Sequence, residues 1–228
     1  MSDAKAAKRA AARAAADLVQ SGMRIGLGSG STFLFALERL AERIRDEKLD
    51  VAGVPTSSGT EQAARRLSIP LIGPDDVDTL DLAIDGADEI DPRRNLIKGG
   101  GGALVREKIV AASAHEMLVV ADEGKLVEVL GKSFPLPIEI LPFGRTQTIR
   151  RIEATGCEAR LRTAESGEPF VSDNGNPIVD CRYEGIDDPA MLHDVLAAIP
   201  GVVESGLFVG MAGRVFVGSM DGEVRILD

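Results

Sequence analysis

The chain has 228 residues, 44% of them apolar, enough to bury one large core or two smaller ones. It carries 36 acidic and 26 basic residues, a formal charge of -10, and no Lys/Arg-rich run, which argues against gripping nucleic acid or an anionic membrane. Aromatic residues make up 4%, with no Trp, so stacking platforms for single strands are not expected either.

Cys157 and Cys181 are too few for a disulfide framework and form no CxxC, so two reduced thiols and a cytoplasmic location are expected. No stretch approaches the roughly 20 apolar residues of a membrane span. The opening AAKRAAARAAADLV is rich in Ala and Arg, but Asp3 and Asp17 and the lack of an apolar signal core argue against a presequence. Ala and Arg are strong helix formers, so a helix is predicted there.

A short apolar run, Met23 to Leu27, ends in GSGST, and FLFALERLAERIR then reads as an amphipathic helix. A strand is predicted over Asp50–Val54, a helix through Leu67, a short strand over Pro70–Ile72 and an apolar strand over Leu80–Ile84 that ends at Asp85-Gly86. A glycine loop, Gly99–Gly102, precedes a helix over Ala103–Ala114 and a buried strand over Met117–Val120. This alternation says α/β, with a Rossmann-like, mainly parallel sheet.

From about Pro135 the rhythm changes. Ile138–Leu141, Glu158–Arg162, Pro177–Tyr183 and Val202–Phe208 read as strands, Arg145–Ala154 and Asp187–Ile199 as helices. The order β-α-β-β-α-β is the split, ferredoxin-like unit. Residues 1–134 with 207–228 are therefore expected to form an α/β catalytic domain, and 135–206 an inserted α+β domain. The tail VFVG…VRIL supplies two further strands.

Three motifs carry chemistry. Gly26-Leu27-Gly28-Ser29-Gly30-Ser31-Thr32 lies between a strand and a helix, where backbone N–H groups face an anion and the hydroxyls add donors. It has no Gly-Lys-Ser/Thr, and Ser31 stands where GxGxxG needs Gly, so a small phosphate is favoured over a nucleotide. Asp85-Gly86-Ala87-Asp88-Glu89-Ile90-Asp91 begins at the carboxyl end of a strand, the edge where parallel α/β sheets bind ligands. Crowded carboxylates there suit proton transfer; the spacing does not fit a calcium loop. Lys98-Gly99-Gly100-Gly101-Gly102 is costly to order and reads as backbone laid against a ligand, with Glu107 one turn into the following helix. Lys8 and Lys125 are further candidates to meet a phosphate. His115 and His193 sit in unrelated contexts, which gives a metal site or a Ser-His-Asp triad little support.

GLGSGST, AIDGADEID, KGGGGALVREK, ADEGKLVEVLG, FPLPIEI, SDNGNPIVD and IPGVVESGLF, in this order, resemble the type A ribose-5-phosphate isomerases over nearly the whole chain. The one small departure is Ser29, where that family commonly has Thr. The resemblance implies interconversion of D-ribose 5-phosphate and D-ribulose 5-phosphate through a cis-enediolate, in the non-oxidative pentose phosphate pathway, without cofactor or metal, by a homodimer or homotetramer. It makes Glu107 the general base, Asp85 an acid/base in ring opening, and Asp88 and Lys98 holders of the hydroxyls and the enediolate. Ser29, Gly30, Ser31, Thr32, Gly86, Ala87, Gly99, Gly100, Gly101 and Lys125 match substrate-binding positions. Two rivals remain: a coenzyme A transferase with Glu107 as nucleophile, and a non-catalytic sugar-phosphate sensor.

Overall fold

Residues 3–228 are described by the structure, a computed structural model. The chain opens with α1 (Asp3–Ala16), β1 (Arg24–Leu27), α2 (Gly30–Asp46), β2 (Ala52–Pro55), α3 (Ser58–Arg66) and β3 (Leu80–Gly86). There follow β4 (Glu89–Ile90), β5 (Leu96–Ile97), α4 (Leu104–Ala112), β6 (Ala114–Asp122), β7 (Leu136–Ile140), α5 (Arg145–Glu153), β8 (Glu158–Leu161) and β9 (Ile178–Arg182). The last elements are α6 (Pro189–Ala197), β10 (Val202–Ser205), β11 (Leu207–Phe208), β12 (Ala212–Gly218) and β13 (Val224–Leu227). They fall into two compact units, one of residues 1–87, 106–125 and 211–228, the other of 88–105 and 126–210. The segment 135–206 lies wholly in the second unit, which also takes in 88–105, 126–134 and 207–210.

The first unit is built on a six-stranded sheet in the order β13-β12-β6-β3-β1-β2. All neighbours are parallel except the β12–β13 edge pair. The period of two along each strand sorts its faces. Ile25 and Leu27, Leu82 and Ile84, Leu118 and Val120 share one core with Ala11, Ala12, Ala15 and Ala16 of α1 and Phe33, Leu37 and Leu40 of α2. The alanine stripe of α1 explains its composition, since methyl-sized side chains let it pack closely against α2, β6 and β12. On the other face Ala83 joins a smaller cluster with Val54 and Val110 of α4. Asp85 has the parity of Ala83 and therefore emerges on the α4 face.

The second unit holds a four-stranded antiparallel sheet in the order β10-β7-β9-β8. With α5 between β7 and β8 and α6 between β9 and β10, this is the ferredoxin-like arrangement the element order predicts. Asp188 caps α6 by accepting from the Met191 N–H at 3.0 Å, and Pro189 stands in its first turn. The turn-forming Asn174 and Asn176 also satisfy a buried acid: their amides donate to Glu139, at 3.1 and 2.9 Å. A three-stranded sheet, β11-β5-β4, completes the unit.

Two expected elements differ. Pro70–Ile72 is not a strand; it makes a single parallel bridge, Leu71 to Gly53 of β2, through the Gly53 N–H to Pro70 O at 3.0 Å and the Ile72 N–H to Gly53 O at 3.1 Å. Val202–Phe208 is not one strand but two. The Gly206 N–H donates to Pro137 O at 2.7 Å, while its carbonyl accepts from the Lys98 N–H at 2.9 Å. The chain thus leaves β7's sheet and joins β5's at that residue.

Candidate active site

In the first unit, sheet parity and helix period meet at one point. Val110 of α4 packs against Gly26 and Ala83, and Glu107, three residues earlier, lies on the same helix face toward the carboxyl ends of the strands. Glu107 and Asp85 are both buried, at 4% and 3% exposure. Together with Gly28 and Thr56 they line a small enclosed space under α4.

Ser29 links the two acids. Its backbone N–H donates to Asp85 Oδ1 at 2.9 Å, and its hydroxyl donates to Glu107 Oε1 in a short hydrogen bond. Ser29 occupies the N-cap of α2 with extended backbone, yet its side chain does not cap the helix. The hydroxyl is committed to Glu107 instead. Asp85 Oδ1 also accepts from the Gly86 N–H at 2.8 Å, which fixes the carboxylate at the strand end. Gly28 must be glycine for this: a Cβ there would overlap the Asp85 carboxylate. Gly30, Ser31 and Thr32 form the first turn of α2, with Gly30 at a φ of 83° and Gly30 and Ser31 exposed. Their N–H groups are the helix-terminal donors that the motif predicts.

Thr56 and Thr60 support this loop, and the sequence reading passed them over. Thr60 Oγ1 donates to Gly28 O at 2.7 Å, and Thr56 Oγ1 to Leu27 O at 3.0 Å. Both are buried. The available signal was PTSSGT following a strand, with Ser57 placed to cap α3 at the same sheet edge.

Lys8 and Lys125 both lie at the carboxyl end of β6. Lys8 Nζ is 3.8 Å from Asp122 Oδ2, so its charge is partnered within the protein. Lys125 closes the turn that follows β6.

In the second unit, Asp88 Oδ2 accepts the Gly100 N–H at 2.8 Å, which ties the acidic segment to the glycine loop. Lys98 is 3% exposed, and its ammonium stands 5.3 Å from the centre of the Phe208 ring. Gly99 and Gly102 adopt φ of 100° and 83°. Ala87 ends the first of the three segments that make up the first unit.

The acidic segment does not act as one cluster. Glu89 is 2% exposed and accepts from the N–H groups of Gly131, Ser133 and Phe134, at 2.6, 3.0 and 2.7 Å. Asp91 accepts from the N–H groups of Arg93 and Asn95, both at 2.8 Å. Glu89 and Asp91 hold loops, which leaves Asp85 and Asp88 as the candidates for chemistry. Among the described residues no group of three or more His, Cys, Asp and Glu is placed to hold a metal ion. His193 Nδ1 faces Ser205 Oγ at 3.4 Å and Glu204 at 3.9 Å, both through the same nitrogen.

Residues 52–222 match the family model for ribose 5-phosphate isomerase A (phosphoriboisomerase A). The chain belongs to the ribose 5-phosphate isomerase A family. A ribose-5-phosphate isomerase A of Roseiflexus castenholzii is 53% identical over 96% of this chain and 94% of its own length. A solved ribose 5-phosphate isomerase from Plasmodium falciparum is 42% identical and superposes with a TM-score of 0.95, covering 98% of both chains. A D-ribose-5-phosphate isomerase solved with phospho-erythronic acid is 39% identical, with a TM-score of 0.94 over 97% of both chains. Membership in the isomerase A family accounts for the order and spacing of the three motifs.

Proposed function

We propose that this chain interconverts D-ribose 5-phosphate and D-ribulose 5-phosphate. The observation that carries the reading is the link from Asp85 through Ser29 to Glu107 at the carboxyl edge of the sheet, in a chain of the isomerase A family.

The hydrogen on C2 of the open-chain aldose is weakly acidic because the C1 carbonyl takes up the electron pair as it leaves. Glu107 is the base that removes it. The electrons move to O1 and give a cis-enediolate; the O2 proton is transferred to O1, C2 becomes the carbonyl, and Glu107 returns its proton to C1. One carboxylate on a packed helix serves both carbons, which are adjacent. Asp85, fixed by two backbone N–H groups, assists ring opening and hydroxyl proton transfer. Asp88 and Lys98 hold the hydroxyls and the developing negative oxygen, with the N–H groups of Gly99 and Gly101 as further donors. Ser29, Gly30, Ser31, Thr32, Gly86, Ala87 and Lys125 bind the sugar phosphate, and Lys8 is a further candidate to meet it. Phosphate binding away from the reacting carbons supplies orientation. The working form is a homodimer or homotetramer in the cytoplasm. Among the described residues no helix is long and apolar enough to cross a membrane.

The test is formation of ribulose 5-phosphate from ribose 5-phosphate in the presence of a chelator, with Glu107→Gln as control. Turnover by the wild type and its loss in the variant support the reading. Binding without turnover would point to a sensor, and an acyl adduct on Glu107 to a coenzyme A transferase. Sedimentation of the purified chain reads its oligomeric state.

A further inference from the structure

The glycine loop of the second unit is gripped by a residue that the isomerase reading does not use. Arg162 directly follows β8. Its Nε and Nη2 donate to the two oxygens of Asp180 on β9, at 2.9 and 2.5 Å. Its Nη1 donates to the carbonyls of both Gly99 and Gly100, at 3.0 and 3.1 Å. The guanidinium carbon stands 5.6 Å from the centre of the Phe170 ring, and that ring also closes over Gly102, where a Cβ would collide with it. Arg162 is thus held by a carboxylate and an aromatic face while its remaining nitrogen spans two loop carbonyls. A lysine, with one nitrogen, cannot serve the carboxylate and both carbonyls in this planar geometry.

The consequence lies in the direction of the loop peptides. They are trans, so each carbonyl points opposite to the N–H of the same peptide. Turning Gly99 O toward Arg162 sends the Gly100 N–H the other way, where Asp88 accepts it at 2.8 Å. Turning Gly100 O toward Arg162 likewise aims the Gly101 N–H away from the guanidinium. Consecutive glycines have little conformational preference of their own, so this alignment needs an external hold.

We propose that Arg162, oriented by Asp180, is a positioning residue for the isomerisation: it locks the Gly99 and Gly100 carbonyls, which keeps the Gly100 N–H on Asp88 and the Gly101 N–H turned away from the guanidinium as the donor to the enediolate oxygen. The inference rests on the reading of Lys98 to Gly101 as the substrate loop. Arg162 acts through that loop and does not touch the sugar. Preorganised donors act in the transition state, and a misplacement of about 1 Å can cost on the order of 100-fold in rate.

The experiment compares full-length wild type with Arg162→Ala, Arg162→Lys and Asp180→Asn. It measures kcat and KM on ribose 5-phosphate, the affinity for phospho-erythronic acid, and the melting temperature. Arg162→Ala is expected to lose at least about tenfold in kcat with KM within about threefold of wild type. Binding of phospho-erythronic acid, which carries a carboxylate, is expected to weaken with kcat, and methylguanidinium to restore part of both. Arg162→Lys and Asp180→Asn, which keep most of the local packing, are expected to fall in kcat without a matching fall in melting temperature. A kcat within twofold of wild type in folded Arg162→Lys overturns the inference. So does a loss that tracks the folded fraction alone. If the wild type itself does not isomerise, the proposed function fails instead, and the effect of Arg162 on phospho-erythronic acid binding still reports on the loop.

Discussion

Ser29 donates its hydroxyl to the carboxylate of Glu107, 78 residues away in the chain, rather than to the helix it caps. An N-cap serine that gives up capping forgoes a contribution of about 1 kcal/mol to its helix. What it gains is a fixed rotamer for a carboxylate that would otherwise swing about its side-chain bonds. Ser29→Ala is therefore expected to lower kcat by about tenfold or more through loss of orientation, and Ser29→Thr to keep most of it. Steady-state kinetics on ribose 5-phosphate check both. Equal activity of the Ala variant would show that Glu107 needs no partner at Ser29.

Glu107→Gln keeps the size of the side chain and an oxygen able to accept from Ser29, but removes the base. Substrate binding should stay near wild type while kcat falls by roughly 100- to 10,000-fold. Exchange of the C2 hydrogen of ribose 5-phosphate in deuterated water, followed by NMR, should stop to the same degree. Exchange that continues while net conversion is lost would move the base to another residue.

How much of this was legible in the sequence follows from which contacts are local. Asp85 at a strand end could be read because the apolar run LDLAI stops at it, and the ferredoxin-like order from the alternation after Pro135. The Ser29–Glu107 link could not, because it depends on β1, β3 and α4 packing together, with Gly26 and Ala83 admitting Val110. Glu89 looks the same in sequence as its acidic neighbours; only the fold of 131–134 over it turns it into an anchor. The break at Gly206 was hidden for a similar reason, since the partner that captures the strand, β5, is two residues long and has no periodicity of its own.

That anchor is testable by stability. Glu89 is buried and satisfies three backbone donors, so Glu89→Ala leaves three N–H groups without their acceptor. Gly131 is buried but Ser133 is exposed and Phe134 half-buried, so the penalty of about 1–3 kcal/mol for a buried group left unsatisfied applies fully once, and a loss of about 1–3 kcal/mol is expected. Glu89→Gln, which can still accept through one oxygen, should lose less. Denaturant unfolding measures both. A loss under about 1 kcal/mol in the Ala variant would mean that water or a shifted loop takes over the acceptor role.

Glu116 on β6 and Arg214 on β12 form a two-point pair, with both nitrogen–oxygen distances at 2.8 Å. The hydrogen bond from Arg214 holds the Glu116 carboxyl below its ordinary value of 4.5, against a smaller opposing effect of burial. Because the folded state gives up this proton more readily than the unfolded state, the pair's contribution is fully present above the unfolded value. It fades as pH falls through the lower, folded one. The pair is about one-third exposed, so solvent screening keeps that contribution to about 1 kcal/mol or less. Glu116→Gln should accordingly be less stable than wild type at pH 7, with the gap closing as pH drops below about 4.5. Urea midpoints of the two proteins between pH 7 and pH 3 would show this. A gap that stays constant across that range would assign the destabilisation to lost packing rather than to the charge on Glu116.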